Sequence, residues 1–403
     1  MEHGKKIEKI FLVSDNRSFF EGILAQRVKE DDFGYFFIKK KFLKAIKKDK
    51  KESLIEFLNS ASRFLRELDY LIFALNKDLL YSFSFKSTYL RKSPQISLPS
   101  QELENILQKT QQKIFDLWQK EAKNFLKVKS IDLKVCNSEC RKVLVNDHLV
   151  VNPLGFKAKS ISFLLENTLI DKNLFYLLKR IFERLFRVNP NLSIKFIEKD
   201  FCFLSSLEEI IKEDFLYFGS WKDSLEMARL GEEIFEKSLL RIDWSFFKKA
   251  VKRISEAFEI EEEIAKKIYF LYFEKNLSLR FQKKLTQILM PIFLGLKDTA
   301  KFLFSQLKLK NKNLRKILIL GDDLFWERSK KLNLNECFNL KKPFKKITLE
   351  EKDCLLKLKI KVKLNKNQNL ERKDFLNFIF LNYPFLEKNK IINKILSQII
   401  FRI

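Results

Sequence analysis

The chain has 403 residues, 46% of them apolar, which is long enough for several subdomains with real cores and excludes a disordered protein. Lysine and arginine outnumber the acids to give a net charge of +27, which suits a lysine-solvated surface, an anionic membrane or a nucleic acid. Discrete Arg-and-aromatic motifs are missing, which disfavours nucleic acid, and no uninterrupted apolar run is long enough to span a bilayer.

Lys9 to Gln26, KIFLVSDNRSFFEGILAQ, is an apolar run, a polar loop and a second apolar run, which predicts a β-hairpin turning at Ser14–Ser18. Tyr35–Phe42 reads as a third strand. Lys50–Leu68 has apolar residues at helical spacing, and Tyr70–Leu75 is a compact apolar strand. From about Leu79 the pattern changes. Leu80–Tyr89 alternates as a strand, Pro94 and Pro99 mark a loop, and Ser100 reads as the N-cap of a long helix, Gln101–Phe125. Ile131–Val145 and Ser160–Ile170 are strands on either side of two turns. Asn146-Asp147 is one turn. Asn152-Pro153-Leu154-Gly155 is the other, with Pro153 fixing φ and Gly155 free to take φ > 0.

Asp171 caps an amphipathic helix through Phe186, with Leu174, Leu177, Leu178, Ile181 and Leu185 on one face. Leu192–Ile197 is a strand and Ser205–Lys212 a short helix. Asp214–Ile242 reads as three strands, with a turn at Leu230-Gly231. Three helices follow, about Ser245–Phe258, Glu261–Glu274 and Leu279–Leu307, and Pro291 is expected to kink or split the third. Arg315–Leu320 is a buried-strand run ending in Gly321-Asp322-Asp323. Leu355–Leu364 alternates apolar residues with lysine, as an edge strand protected by charge does.

Val150-Val151-Asn152-Pro153-Leu154-Gly155 resembles a segment of the FtsA family of bacterial actin-like cell-division proteins. In that family it closes a small inserted subdomain called SHS2. The strand-helix-strand-strand layout of residues 80–170 is similar, and the order of elements resembles an actin-like protein over residues 5–330. The type IV pilus component PilM shares this fold. The resemblance implies an α/β, mixed α+β protein: a two-lobed actin-like (RNase H-like) fold with an inserted strand-helix-strand-strand subdomain. Residues 1–79 are then the N-terminal part of the first actin-like subdomain and 80–170 the insertion. Residues 171–330 are the remainder of the first lobe and the second lobe, and 331–403 a C-terminal strand and helix extension.

Actin-like ATPases hold nucleotide with glycine-rich hairpin loops, so the resemblance places vestigial nucleotide loops at Asp15 and Asn16, at Gly219 and Asp223, and at Gly321. The first loop, Ser14-Asp15-Asn16-Arg17-Ser18, has asparagine where glycine is expected. The second, Phe218-Gly219-Ser220-Trp221-Lys222-Asp223-Ser224, keeps one glycine and sets Trp221 in the cradle. The third, Gly321-Asp322-Asp323, turns two carboxylates toward an anionic ligand. Phosphate cradles need close backbone approach, and these side chains obstruct it. The expectation is a degenerate pseudo-ATPase that uses no cofactor, with ATP and Mg²⁺ disfavoured, no catalytic residues and no metal site.

His3 and His148 are the only histidines, which excludes histidine-based metal or triad chemistry. The five cysteines, at 136, 140, 202, 337 and 354, lack the paired spacing of a tetrahedral site and read as reduced and buried. That usage, with no signal peptide, points to the cytoplasm. Ile391, Ile392, Ile395, Leu396, Ile399, Ile400 and Ile403 form a helical stripe flanked by Lys388, Lys390, Lys394 and Arg402. FtsA proteins end in a similar basic amphipathic helix that lies on the inner membrane, and the alternative is a last helix docked on the protein core. The resemblance implies a non-catalytic adaptor on the cytoplasmic membrane face, in cell division or in type IV pilus assembly. Its partners would be proteins of such a complex, an anionic membrane surface or further copies of itself, and no specific nucleic acid. Two alternatives stay open: an active actin-like ATPase with divergent loops, and a basic nucleic-acid-binding protein.

Overall fold

The computed structural model describes residues 7–16, 18–30, 33–46, 49–129, 132–211, 214–221, 224–230, 239–243, 246–273, 276–307, 316–321, 345–347, 360–362, 372–382, 392–393 and 395–396. The chain divides into two units: residues 1–211 with 349–403, and residues 212–348.

The first unit opens with a meander of β1 (Ile7–Asp15), β2 (Phe19–Glu30) and β3 (Phe33–Ala45). Helix α1 (Lys50–Ala61) then leads to β4 (Tyr70–Leu75), which lies parallel to β1. Asp49 caps α1, its carboxylate accepting from the N–H groups of Lys51 and Glu52. The helix stops at Ala61, short of the expected Leu68, and a 3₁₀ turn over Ser62–Phe64 follows. Helix α3 (Lys172–Val188) leads to β9 (Ser193–Glu198), parallel to β4. Asp171 caps α3 as the sequence predicts, accepting from the Asn173 N–H. Helix α4 (Lys199–Ile211) begins six residues before the expected Ser205, directly from β9.

The apolar stripes of α1 and α3 pack on one face of this sheet. Leu54, Phe57 and Leu58 meet Phe11, Val13, Phe73 and Phe196, with Leu174, Leu178 and Phe182 beside them. Ile10, Leu12 and Ile72 point to the opposite face and are also fully buried, as strands covered on both sides require. One further strand and one further helix complete the picture. β15 (Ile360–Val362) adds parallel to β3, giving the order β15-β3-β2-β1-β4-β9. It is an edge strand, as its alternation with lysine predicts. Helix α8 (Arg372–Asn382) packs against α4, β1 and β4.

Between β4 and α3 lies a separate antiparallel sheet of β5 (Leu80–Leu90), β6 (Leu133–Val145), β7 (His148–Val150) and β8 (Ser160–Asp171), in the order β5-β8-β6-β7. Helix α2 (Ser100–Leu126) covers it. The order is strand, helix and three strands, so the strand-helix-strand-strand layout expected of residues 80–170 gains a short strand, β7. Ser100 is the first helical residue of α2, not its cap. Pro99 holds the N-cap position and makes no side-chain capping bond. The reason is local: the Leu98 N–H donates to the Phe156 carbonyl and its carbonyl accepts from Gly155, so the chain turns into the helix one residue early. Asn146 and Asp147 take φ of 50° and 65° and close the β6–β7 turn, and Gly155 takes φ of 82°.

The second unit repeats the meander of the first. β10 (Phe215–Trp221), β11 (Ser224–Leu230) and β12 (Leu239–Asp243) are antiparallel. β13 (Lys316–Gly321) then runs parallel to β10, and β14 (Lys345–Ile347) parallel to β13. The order β12-β11-β10-β13-β14 has the same pattern as β3-β2-β1-β4-β9. Helices α5 (Phe246–Phe258), α6 (Glu262–Phe273) and α7 (Leu279–Gln306) bury Ile254, Ala265, Tyr269, Leu285 and Leu289 against it. Pro291 does not split α7, which runs unbroken through it. Pro291 and Gln287, whose carbonyl loses its helical partner, both lie on the exposed face, open to solvent.

Candidate functional site

β1 delivers Asp15 to the hairpin loop at the end of the first sheet, and the carboxylate is completely buried. A buried carboxylate is costly unless it is paired, and here two lysines converge on the loop. Lys50, the first residue of α1, places Nζ 2.5 Å from Oδ2 of Asp15 and 2.7 Å from Oδ2 of Asp78. Lys199, the first residue of α4, donates to the Asp15 carbonyl oxygen, and to Oδ1 of Asn16 at 3.2 Å. The Asn16 amide in turn donates to Oε2 of buried Glu21 at 3.0 Å. The loop is therefore a closed network of two ammonium groups, the carboxylates of Asp15, Asp78 and Glu21, the Asn16 amide and the Asp15 carbonyl.

Burial pushes the Lys199 ammonium down from its ordinary range to about 8, a shift that Asp15, Asp200 and Glu21 oppose. Its Nζ also lies 5.8 Å from the centroid of the Phe380 ring on α8. Beside this loop Lys51 pairs with Asp171, tying the start of α1 to the cap of α3. Asn16 does not take a positive φ.

The other residues of the candidate loops fall differently. Gly219 lies inside β10, paired with Glu226 on one side and Leu320 on the other, so it belongs to a ladder and not to a loop. Gly321 closes β13 opposite Ser220. Asp223 lies outside the described residues, as do Asp322 and Asp323. In the C-terminal stripe, Ile392 and Leu396 are fully buried in the core of the α2–β5–β6–β8 subdomain, with Ile395 packed against it. Asn393 accepts a hydrogen bond from the Cys140 N–H on β6 at 2.5 Å. These residues follow the docked alternative, while Ile391, Ile399, Ile400 and Ile403 lie outside the described residues.

Sequence reasoning passed over Lys50, Lys199, Glu21 and Asp78. Lys50 and Lys199 each stand at the first position of a helix, and no spacing rule links them to Asp15. The one local signal is Asp49 before Lys50, which marks where the helix starts. Cys136, Cys140 and Cys202 are free and buried as expected, and burial raises the first two thiols well above their ordinary value. Among the described residues no cluster of three or more His, Cys, Asp or Glu could hold a metal ion, and no helix is long and apolar enough to cross a membrane.

No protein-family model matches the chain, and no curated protein does. Solved structures do. A chain of the PilM–PilN type IV pilus biogenesis complex superposes with a TM-score of 0.50 at 10% identity, covering 94% of this chain and 96% of that one. A Bacteroides thetaiotaomicron protein with actin-like ATPase fold and unknown function gives 0.34 at 9% identity, over 92% and 96% of the two chains. Glucokinase from Balamuthia mandrillaris in complex with glucose gives 0.40 at 12% identity, over 95% and 94%. The repeated meander with two parallel strands, and the likeness over nearly the whole chain, make this a protein of actin-like fold.

Proposed function

We propose that the chain is a non-catalytic adaptor built on the actin-like fold, acting on the cytoplasmic membrane face in an assembly of the type IV pilus kind. The observation that carries the first half is the closed loop at Asp15. An actin-like ATPase needs that carboxylate for a hydrated divalent cation and the adjoining backbone for phosphate. Here Lys50 holds the carboxylate and Lys199 the carbonyl, so a nucleotide-bound Mg²⁺ would have to expel an internal ammonium first. The residues do not fit a Mg–nucleotide complex at this loop. The pilus reading is drawn by analogy from the PilM–PilN chain, whose likeness to this one is a likeness of fold.

Purified chain titrated with ATP and Mg²⁺ is expected to give neither heat of binding nor a shift in melting temperature, and no phosphate release. Micromolar ATP affinity, or turnover lost in Asp15→Ala, would establish the divergent ATPase instead. Affinity capture with the full chain from a piliated cell is expected to recover inner-membrane pilus components. Recovery of a division-ring polymer would move the assignment to an FtsA-like role.

A further inference from the structure

The membrane-side reading leaves open which surface touches lipid. The C-terminal stripe is a poor candidate, because Ile392 and Leu396 are already spent in the subdomain core. We propose that the lipid-facing surface is instead the free end of the β5-β8-β6-β7 sheet, and that it docks on an anionic bilayer. The inference rests on the membrane-side part of the reading above and not on the state of the Asp15 loop.

The topology gathers that end from three separate stretches. Leu90 at the end of β5 pairs with Ser160 at the start of β8, and Ile161 pairs with Val145, which pairs with His148. The loop after β5 is stitched to the loop before β8 by the Ser97–Lys157 bridge and by the Leu98–Phe156 backbone bond. Arg91 fastens the same corner, its guanidinium paired with Glu102 at 2.7 Å and donating to the Ile96 carbonyl at 2.8 Å. The loops are thus held in place from beneath.

What they present is apolar. Leu90, Ile96, Leu149, Val151 and Phe156 are between 46% and 84% exposed. Within residues 90–98 and 146–160, Lys92, Lys157 and Lys159 are exposed, against one exposed acid, Asp147. Scattered apolar side chains are ordinary, but five on one sheet end, set among lysines, are a patch. The charge selects the occupant. A second copy would bring lysine against lysine, on a chain of net charge +27. An anionic phospholipid surface accepts both features, since the apolar side chains enter the acyl boundary while the lysines meet the headgroups.

The test is sedimentation of the full chain with vesicles of phosphatidylcholine alone or mixed with phosphatidylglycerol. Partition is expected only with the mixed vesicles. Leu149→Ser/Phe156→Ser and Lys157→Glu/Lys159→Glu should each weaken it by about tenfold. All four positions are exposed, so melting temperatures should stay at the wild-type value. Ile399→Ser/Ile400→Ser, in the C-terminal stripe, should leave partition unchanged. No partition, equal partition onto neutral vesicles, unchanged partition in the sheet-end variants, or loss only in the stripe variant each overturns the proposal. So does binding of the patch to an acidic polypeptide without binding to vesicles. ATP titration is a separate readout, so an active nucleotide loop would refute the pseudo-ATPase reading and leave this result standing.

Discussion

Asp15 is the residue on which the local chemistry turns. It is fully buried, and its nearest cation is 19% exposed, so their attraction is screened less than at the surface. Asp15→Ala leaves the Lys50 ammonium with only exposed Asp78 and is expected to cost about 1–3 kcal/mol in urea denaturation. Lys50→Met in the same background should then cost much less than it does alone, and independent effects of the two substitutions would show that the pair is not coupled. Lys199 makes a pH prediction. Its folded value of about 8 lies below the ordinary 10.5, so the unfolded chain holds more protons between those limits. Its contribution to stability therefore rises with pH across that window and is least favourable below about pH 8. Lys199→Met removes this slope, so the stability of wild type relative to the variant should rise from pH 8 to 10.5. A flat difference would mean that the ammonium is better hydrated than its surroundings suggest.

Helices and strands carry the next set of expectations. β2 passes so close to α1 that a Cβ on Gly22 would sit 2.7 Å from the rings of both Phe11 and Phe57. Gly22→Ala must push two aromatic rings apart and should cost about 1–3 kcal/mol. Leu396→Ala empties part of a packed core and should cost about 2–5 kcal/mol. No loss would detach the C-terminal segment from the subdomain.

Elements of this kind were largely legible in the sequence, because most are strongly periodic and bounded by turn residues. Asp171 announced α3, and Asn146-Asp147 announced the β6–β7 turn. The misplacements have identifiable causes. Pro291 reads as a breaker when its position on the helix is unknown, and its exposed face is what lets α7 continue. The resemblance to actin-like ATPases sets Gly219 in a nucleotide loop, yet it is ladder-paired on both sides. Leu80–Ile170 was read from its alternation and turns, while the lysines closing the Asp15 loop come from positions 35 and 184 residues farther along the chain than Asp15, a distance no local pattern bridges.

At the scale of the molecule the two units differ in how the chain builds them. Residues 212–348 form one continuous unit, whereas the other takes residues 1–211 together with 349–403. Truncation after Thr348 removes β15, α8 and the buried Ile392 and Leu396. Calorimetry of that truncation is expected to keep the transition of the second unit and to lower or abolish that of the first. Loss of both transitions would mean that the units unfold as one.

The edge strand β15 has a temporal consequence. A ribosome releases the first sheet's meander early, yet its outermost parallel neighbour and the helix sealing its second face emerge only after the entire 212–348 unit has been made. Sheet pairing of such long sequence separation is slow, and unfinished β edges invite wrong partners. A nascent chain therefore carries an open hydrophobic sheet through most of its synthesis. Chaperone occupancy should peak on residues 7–75 and fall only when residues 360–382 appear.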